Sequence, residues 1–189
     1  MAAHFIKVGE SAHDAELQAL SFLKEGLPAS YTIYGNPWLV ERTGVVHEID
    51  AVVVAPHAIY VVEIKSYRGE IHGNDHDWYV PHPIRSPLKL NRKTGQVLHS
   101  LLKRENFEAS RVWVQGFVFL SAATHVDVRG PASAGRVHTR KTILAALQDE
   151  ALVQRLSGRE LAGGVSLSVQ GEVLRLLQSN RNGPQPVHR

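Results

Sequence analysis

The chain has no cysteine. That excludes disulfide bonds and thiolate metal sites, and it fits a reducing compartment. Long apolar runs are also missing: none approaches the roughly 18 residues that a membrane-spanning helix needs. The opening stretch "MAAHFIKVGESAHDAE" lacks the apolar core of a secretory signal. A cytoplasmic protein with no membrane partner is therefore expected. Several catalytic signatures are absent too. "GRELAGG" lacks the lysine and hydroxyl of a phosphate-binding P-loop. No glycine-rich loop with V-A-I-K, no H-R-D and no D-F-G marks a protein kinase. No Ser-His-Asp arrangement is legible. His72, His76 and His82 lie near Asp75 and Asp77, but without the fixed spacing of a zinc site.

Charge of one sign is scarce overall, with a formal net charge of +3. Its distribution is uneven. Between Ile84 and Val112 seven basic residues stand against two acidic ones. Most such stretches are solvated helix faces. Beside a polyanion site they hold phosphate. Lys89, Arg92, Lys93, Lys103 and Arg104 are the candidate nucleic-acid contacts; Trp38, Trp78 and Trp113 read as core or rim packing, with Trp78, near a turn, the one to test for DNA contact.

The 189 residues are enough for one domain with a real core. We place it at 1–180, with a polar, proline-bearing tail or linker at 181–189. No internal repeat or low-complexity segment interrupts it. A first helix is expected from Ser11 to Gly26, opened by the capping-box pair Ser11 and Asp14. The strand "SYTIY" follows. A hairpin comes next, from Glu48 to Val54 and from Ile59 to Ser66, around the turn Ala55-Pro56-His57-Ala58. "GEIHG" and "DWYV" read as short strands, and "VPHPIRSP" as a loop. Leu88 to Lys103 reads as a helix, "RVWVQGFVFLS" as a buried strand, "THVDV" as a short strand and "GPASAG" as a loop. Helices are expected at Thr139–Asp149 and Val169–Asn180. The order implies an α/β fold with a mixed central β-sheet flanked by helices.

The hairpin poses the functional question. Its strands are among the most apolar segments of the chain, yet they carry Asp50, Glu63 and Lys65. Unpaired charges in such places cost several kcal/mol. With the turn centred between Pro56 and His57, Asp50 lies opposite Glu63, and Glu48 opposite Lys65. Side chains alternate along a strand. Glu48, Asp50, Glu63 and Lys65 then share one face, and Ile49, Ala51, Val53, Val62 and Ile64 the other. Opposed carboxylates repel at such range. A divalent cation between them removes the objection, and Mg²⁺ prefers such oxygens. Lys65 is placed to stabilise a hydroxide or the charge developing on phosphorus. The plainer alternative is a cluster of salt bridges on a half-exposed sheet.

"GVVHEIDAVVVAPHAIYVVEIKSYRGEIHG" resembles the core of the nuclease-related domain (NERD) family, within the PD-(D/E)XK nuclease superfamily. The matching elements are Glu48-Ile49-Asp50, Glu63-Ile64-Lys65, Tyr67 and Gly69. "GESAHDAELQALSFL", "SPLKLNRKTGQVLHSLLK" and "VWVQGFVFLS" extend the likeness over about residues 8–125. Ser86 stands where many relatives have asparagine. The resemblance implies a restriction-endonuclease-like fold and catalytic Asp50, Glu63 and Lys65, with Glu16 approaching from the first helix. It implies Mg²⁺ or Mn²⁺ held by Asp50, Glu63 and the Ile64 carbonyl, with Glu48 and Gln96 in support. It further implies DNA as partner, and an attached C-terminal effector domain in a longer native chain, such as a kinase of a bacterial anti-phage system. A homodimer is the expected arrangement for cutting both strands. The expected function is metal-dependent hydrolysis of DNA phosphodiesters. The alternatives are a catalytically silent DNA-binding module that regulates an attached effector, and a protein-interaction domain.

Overall fold

The apolar runs become the middle of a sheet buried on both faces. The computed structural model describes residues 1–11 and 13–179; the expected tail at 181–189 lies outside them. In chain order the elements are strand β1 (His4–Lys7), helix α1 (Asp14–Gly26), and strands β2 (Thr32–Gly35), β3 (Trp38–Val40), β4 (Val46–Glu48), β5 (Ala51–Val54) and β6 (Ile59–Lys65). Then come β7 (Gly69–Asn74), β8 (Asp77–Tyr79), β9 (Pro83–Arg85) and helix α2 (Leu88–Glu105). A 3-10 turn at Glu108–Arg111 leads to β10 (Val114–Leu120), β11 (Ala123–Arg129) and β12 (Val137–Thr139). Helices α3 (Ile143–Gln148), α4 (Glu150–Ser157) and α5 (Leu167–Ser179) close the described chain.

The main sheet has six strands in the order β1-β2-β5-β6-β10-β12. It is mixed: β2–β5 and β5–β6 pair antiparallel, whereas β1–β2, β6–β10 and β10–β12 pair parallel. Helices cover both faces, which is why the central strands read as unbroken apolar runs. On one face Val53, Val62, Ile64, Phe117 and Phe119 pack with Leu20 and Leu23 of α1 and Leu147 of α3. On the other, Val52, Val54, Ile59 and Val61 pack with Leu98 and Leu102 of α2 and Val173 of α5. A four-stranded sheet, β11-β7-β8-β9, encloses Ile71 and Trp78 together with Val118 and Leu120. This is the α/β architecture expected from the sequence. Among the described residues no helix is long and apolar enough to cross a membrane.

Several expectations change in detail. Helix α1 starts at Asp14 without a side-chain cap. Ser11 instead spends its hydroxyl on the backbone of His13. The expected strand from Glu48 to Val54 is broken at Ile49-Asp50, where Ile49 N–H donates to the Pro37 carbonyl at 2.9 Å. Ile49 therefore packs with Val52 and Val54, not with Ala51 and Val53. Within the proline-rich "VPHPIRSP", Pro83 opens the edge strand β9, which among the described residues pairs with β8 alone. An edge position tolerates the missing N–H. Thr139 belongs to β12 rather than to a helix.

Candidate active site

The register of the central strands builds one end of the sheet into a site. Gly35 pairs with Ala51, and Ala51 with Val62. The next residues outward are Asn36, Asp50 and Glu63. Asp50 therefore faces Glu63, as the turn position implied. Asn36 N–H donates to the Asp50 carbonyl at 2.9 Å. Lys65 ends β6 two residues beyond Glu63, on the same side of the strand. Glu16 lies in the first turn of α1, where the helix dipole favours an anion.

Three contacts lock these groups together. Asp50 Oδ2 accepts a hydrogen bond from Ile64 N–H at 2.6 Å. Lys65 Nζ pairs with Glu63 Oε1 at 2.6 Å, and both side chains are largely covered, at 31% and 19% exposure. Asn36 Nδ2 donates to Glu16 Oε1. Asn36 was not legible as a site residue. Its only sequence signal is the turn "GNPW". It takes a left-handed backbone, φ 53°, which asparagine tolerates better than most residues. That conformation turns the chain at the end of β2, where its amide meets α1.

The electrostatics follow from this crowding. Burial pushes the Asp50 carboxyl up to about 7, and the charges of Glu63 and Glu16 add to the effect. The Ile64 N–H and Lys65 pull it the other way. Burial alone would lower Lys65; the charge and hydrogen bond of Glu63, and the charge of Asp50, outweigh it and raise the ammonium above its ordinary value.

The donor set suits a hard cation. Asp50 and Glu63 offer carboxylate oxygens, and their mutual repulsion is what a cation would relieve. Among the described residues no three histidine, aspartate or glutamate side chains converge to hold a metal by themselves. Two carboxylates, a backbone carbonyl and water are nonetheless the kind of shell Mg²⁺ accepts.

Other expected residues fall elsewhere. Glu48 stands in β4 opposite Trp38, not opposite Lys65, because β4 pairs with β3 in a sheet of its own. Gln96 lines a groove with Glu41, Arg42 and Lys93 rather than joining the carboxylates. Lys89, Arg92, Lys93, Lys103 and Arg104 are exposed on α2, spaced to share one helical face. That face lies opposite the buried Asn91, Leu98 and Leu102. Trp78 is 1% exposed, and its Nε1 donates to the Asn74 carbonyl at 3.0 Å, so it is core and cannot stack on a base. Asp75 accepts from the backbone of Ala132 and Ser133. It holds a loop in place.

A mixed sheet flanked by helices, with an acid–acid–lysine set at one end, is consistent with a restriction-endonuclease-like fold. The chain belongs to the NERD (nuclease-related domain) family, whose profile matches residues 11–121. It is also similar to the probable kinase PglW of Streptomyces coelicolor, at 29% identity over 123 residues. That match takes in 58% of this chain but only 8% of the relative's length. No solved structure matches.

Proposed function

We propose that this domain, residues 1–180, hydrolyses phosphodiester bonds of DNA with Mg²⁺ or Mn²⁺. The observation that carries the reading is the juxtaposition of Asp50, Glu63 and Lys65 at the end of β5 and β6. Asp50, Glu63 and the Ile64 carbonyl would hold the ion. Bound there, it would polarise the phosphate and lower the pKa of a bound water. Lys65, aimed by Glu63, keeps a positive charge beside the reacting phosphate and its hydroxide nucleophile. Glu16, held by Asn36, orients the attacking water. The exposed cations of α2 hold the strand. In this reading Glu48 supports β4 rather than Lys65, and Gln96 acts away from the chemistry.

The test is cleavage of an oligonucleotide with Mg²⁺ by the wild type, Glu63→Gln and Lys65→Ala. Loss of about 100-fold or more is expected in both variants, with unchanged circular dichroism. Full activity in Lys65→Ala would overturn the assignment.

A second reading has its own support. The similar segment of the probable kinase PglW is a small part of a much longer protein. The domain could then bind DNA without cutting it and regulate an attached effector in a defence or DNA-processing protein. Salt-sensitive DNA binding, with no cleavage in any divalent metal, would favour this reading. Cytoplasmic residence fits both readings. A homodimer, bringing two sites together, fits cleavage of both strands.

A further inference from the structure

The β3–β4 hairpin, which ends at Glu48 two residues before Asp50, also forms one wall of a groove of about 500 Å³ against α2. Its chemistry is mixed in a specific way. Arg42 and Lys93 bring positive charge to it, while the Arg104 guanidinium is already paired with Glu105 at 2.7 Å. Val97 and Leu101 supply an apolar floor, and Gln96 and Ser100 supply donors and acceptors. Arg42 has no ion-pair or hydrogen-bond partner among the described residues, and neither do the Gln96 amide and the Ser100 hydroxyl. The one acidic wall residue, Glu41, is already engaged: His47 Nε2 lies 2.5 Å from its Oε1. The hairpin tip is closed by two backbone hydrogen bonds. Glu41 N–H donates to the Val45 carbonyl at 2.8 Å, and Gly44 N–H to the Glu41 carbonyl at 2.9 Å. Arg42 is therefore presented on a closed turn.

We propose that this groove seats a stretch of nucleic-acid strand flanking the bond to be cut. Arg42 and Lys93 hold phosphate, and Val97 and Leu101 receive sugar or base surface. The inference rests on the nuclease reading for its substrate class. It adds Arg42, Gln96 and Ser100 and makes the hairpin a clamp. Arg42 stands eight residues before Asp50, so the two lie at most about 26 Å apart along an extended strand. With a phosphate every 3.4 Å or so along each strand of a duplex, about eight phosphates or fewer separate the groove from the site.

The test is binding of a labelled oligonucleotide of about 16 nucleotides, single-stranded and annealed, in a chelator. The wild type is compared with Arg42→Glu/Lys93→Glu. The control is Lys24→Glu/Lys141→Glu, which makes the same charge change on the α1 and α3 side. The groove variant is expected to lose about tenfold or more in affinity, and its logarithmic salt slope to shrink by about 2. The control is expected to lose little. Equal losses in the two variants would overturn the proposal, as would a groove variant that binds like wild type. Tighter binding of a mononucleotide than of the oligonucleotide would assign the groove to a free ligand and also overturn it. If the double variant fails to fold, Arg42→Ala and Gln96→Ala carry the same comparison. Failure of the nuclease reading shows separately, as binding that depends on the groove in a wild type that cleaves nothing.

Discussion

Asp50 stands where the fold and the site make opposite demands. Its carboxyl is buried beside Glu63 and keeps its proton up to about 7. A carboxyl raised in the folded state stabilises the fold fully below its unfolded pKa, and that contribution is lost as pH rises toward the folded value. The window here runs from 3.8 to about 7. Asp50→Asn keeps an acceptor for the Ile64 N–H and removes the charge. At about pH 8 in a chelator it should melt at a higher temperature than wild type, and it should not cleave DNA. A lower melting temperature would contradict this account of Asp50. Asn36→Gly tests a different link. Glycine keeps the left-handed turn but deletes the amide that holds Glu16. Cleavage should fall about tenfold or more while the melting temperature changes little; undiminished cleavage would show that Glu16 needs no such anchor. Asp50, Glu63 and Lys65 were legible because charges stand out in apolar strands and a tight turn fixes their register. Asn36 was not, because its partner Glu16 belongs to a separate element. Glu48 was misplaced because nothing in "HEID" announces the break at Ile49-Asp50.

At the scale of elements, two contacts position the strands of the site. Asn91 of α2 reaches down to β6, where its Nδ2 donates to the Val61 carbonyl at 3.1 Å. This close approach needs Gly116 on β10, since a Cβ there would run into Asn91 Oδ1. Gly116→Val should destabilise the fold by about 1–3 kcal/mol, measured by urea unfolding. No loss would mean that α2 can shift freely on the sheet. Farther across the sheet, His138 of β12 lies edge-on to Phe117, with ring centroids 4.5 Å apart. Its Nε2 donates to the Gly135 carbonyl at 3.1 Å. Burial pushes its pKa from 6.5 down to about 4. The unfolded chain therefore binds a proton that the fold refuses. This contribution is fully present above 6.5 and is lost as pH falls toward 4, on the order of 3 kcal/mol at the limit. The drop in urea midpoint between neutral and acid pH should be smaller in His138→Gln. An identical drop in both proteins would show that His138 is not the group responsible.

The whole molecule is organised so that both faces of the sheet are covered and the candidate site lies at one sheet end. The mixed sheet and its flanking helices were legible from the apolar runs and the helical periodicity. The short edge strands β1, β9 and β12 were not, because their identity depends on distant partners rather than on local pattern. Nor was α4. Asp149 ends one helix and caps the next, its side chain accepting from Leu152 N–H at 2.9 Å, so the pattern reads as one helix that stops at Asp149 and α4 goes unread. The central claim is that Asp50, Glu63 and Lys65 form a phosphodiesterase site. It is tested most directly with supercoiled plasmid, Mg²⁺ or Mn²⁺, and Asp50→Ala beside the wild type. The expected result is nicking that requires the metal and disappears in the variant while its fold persists. Nicking that survives in Asp50→Ala, or its absence in a wild type that still binds the plasmid, would contradict the claim.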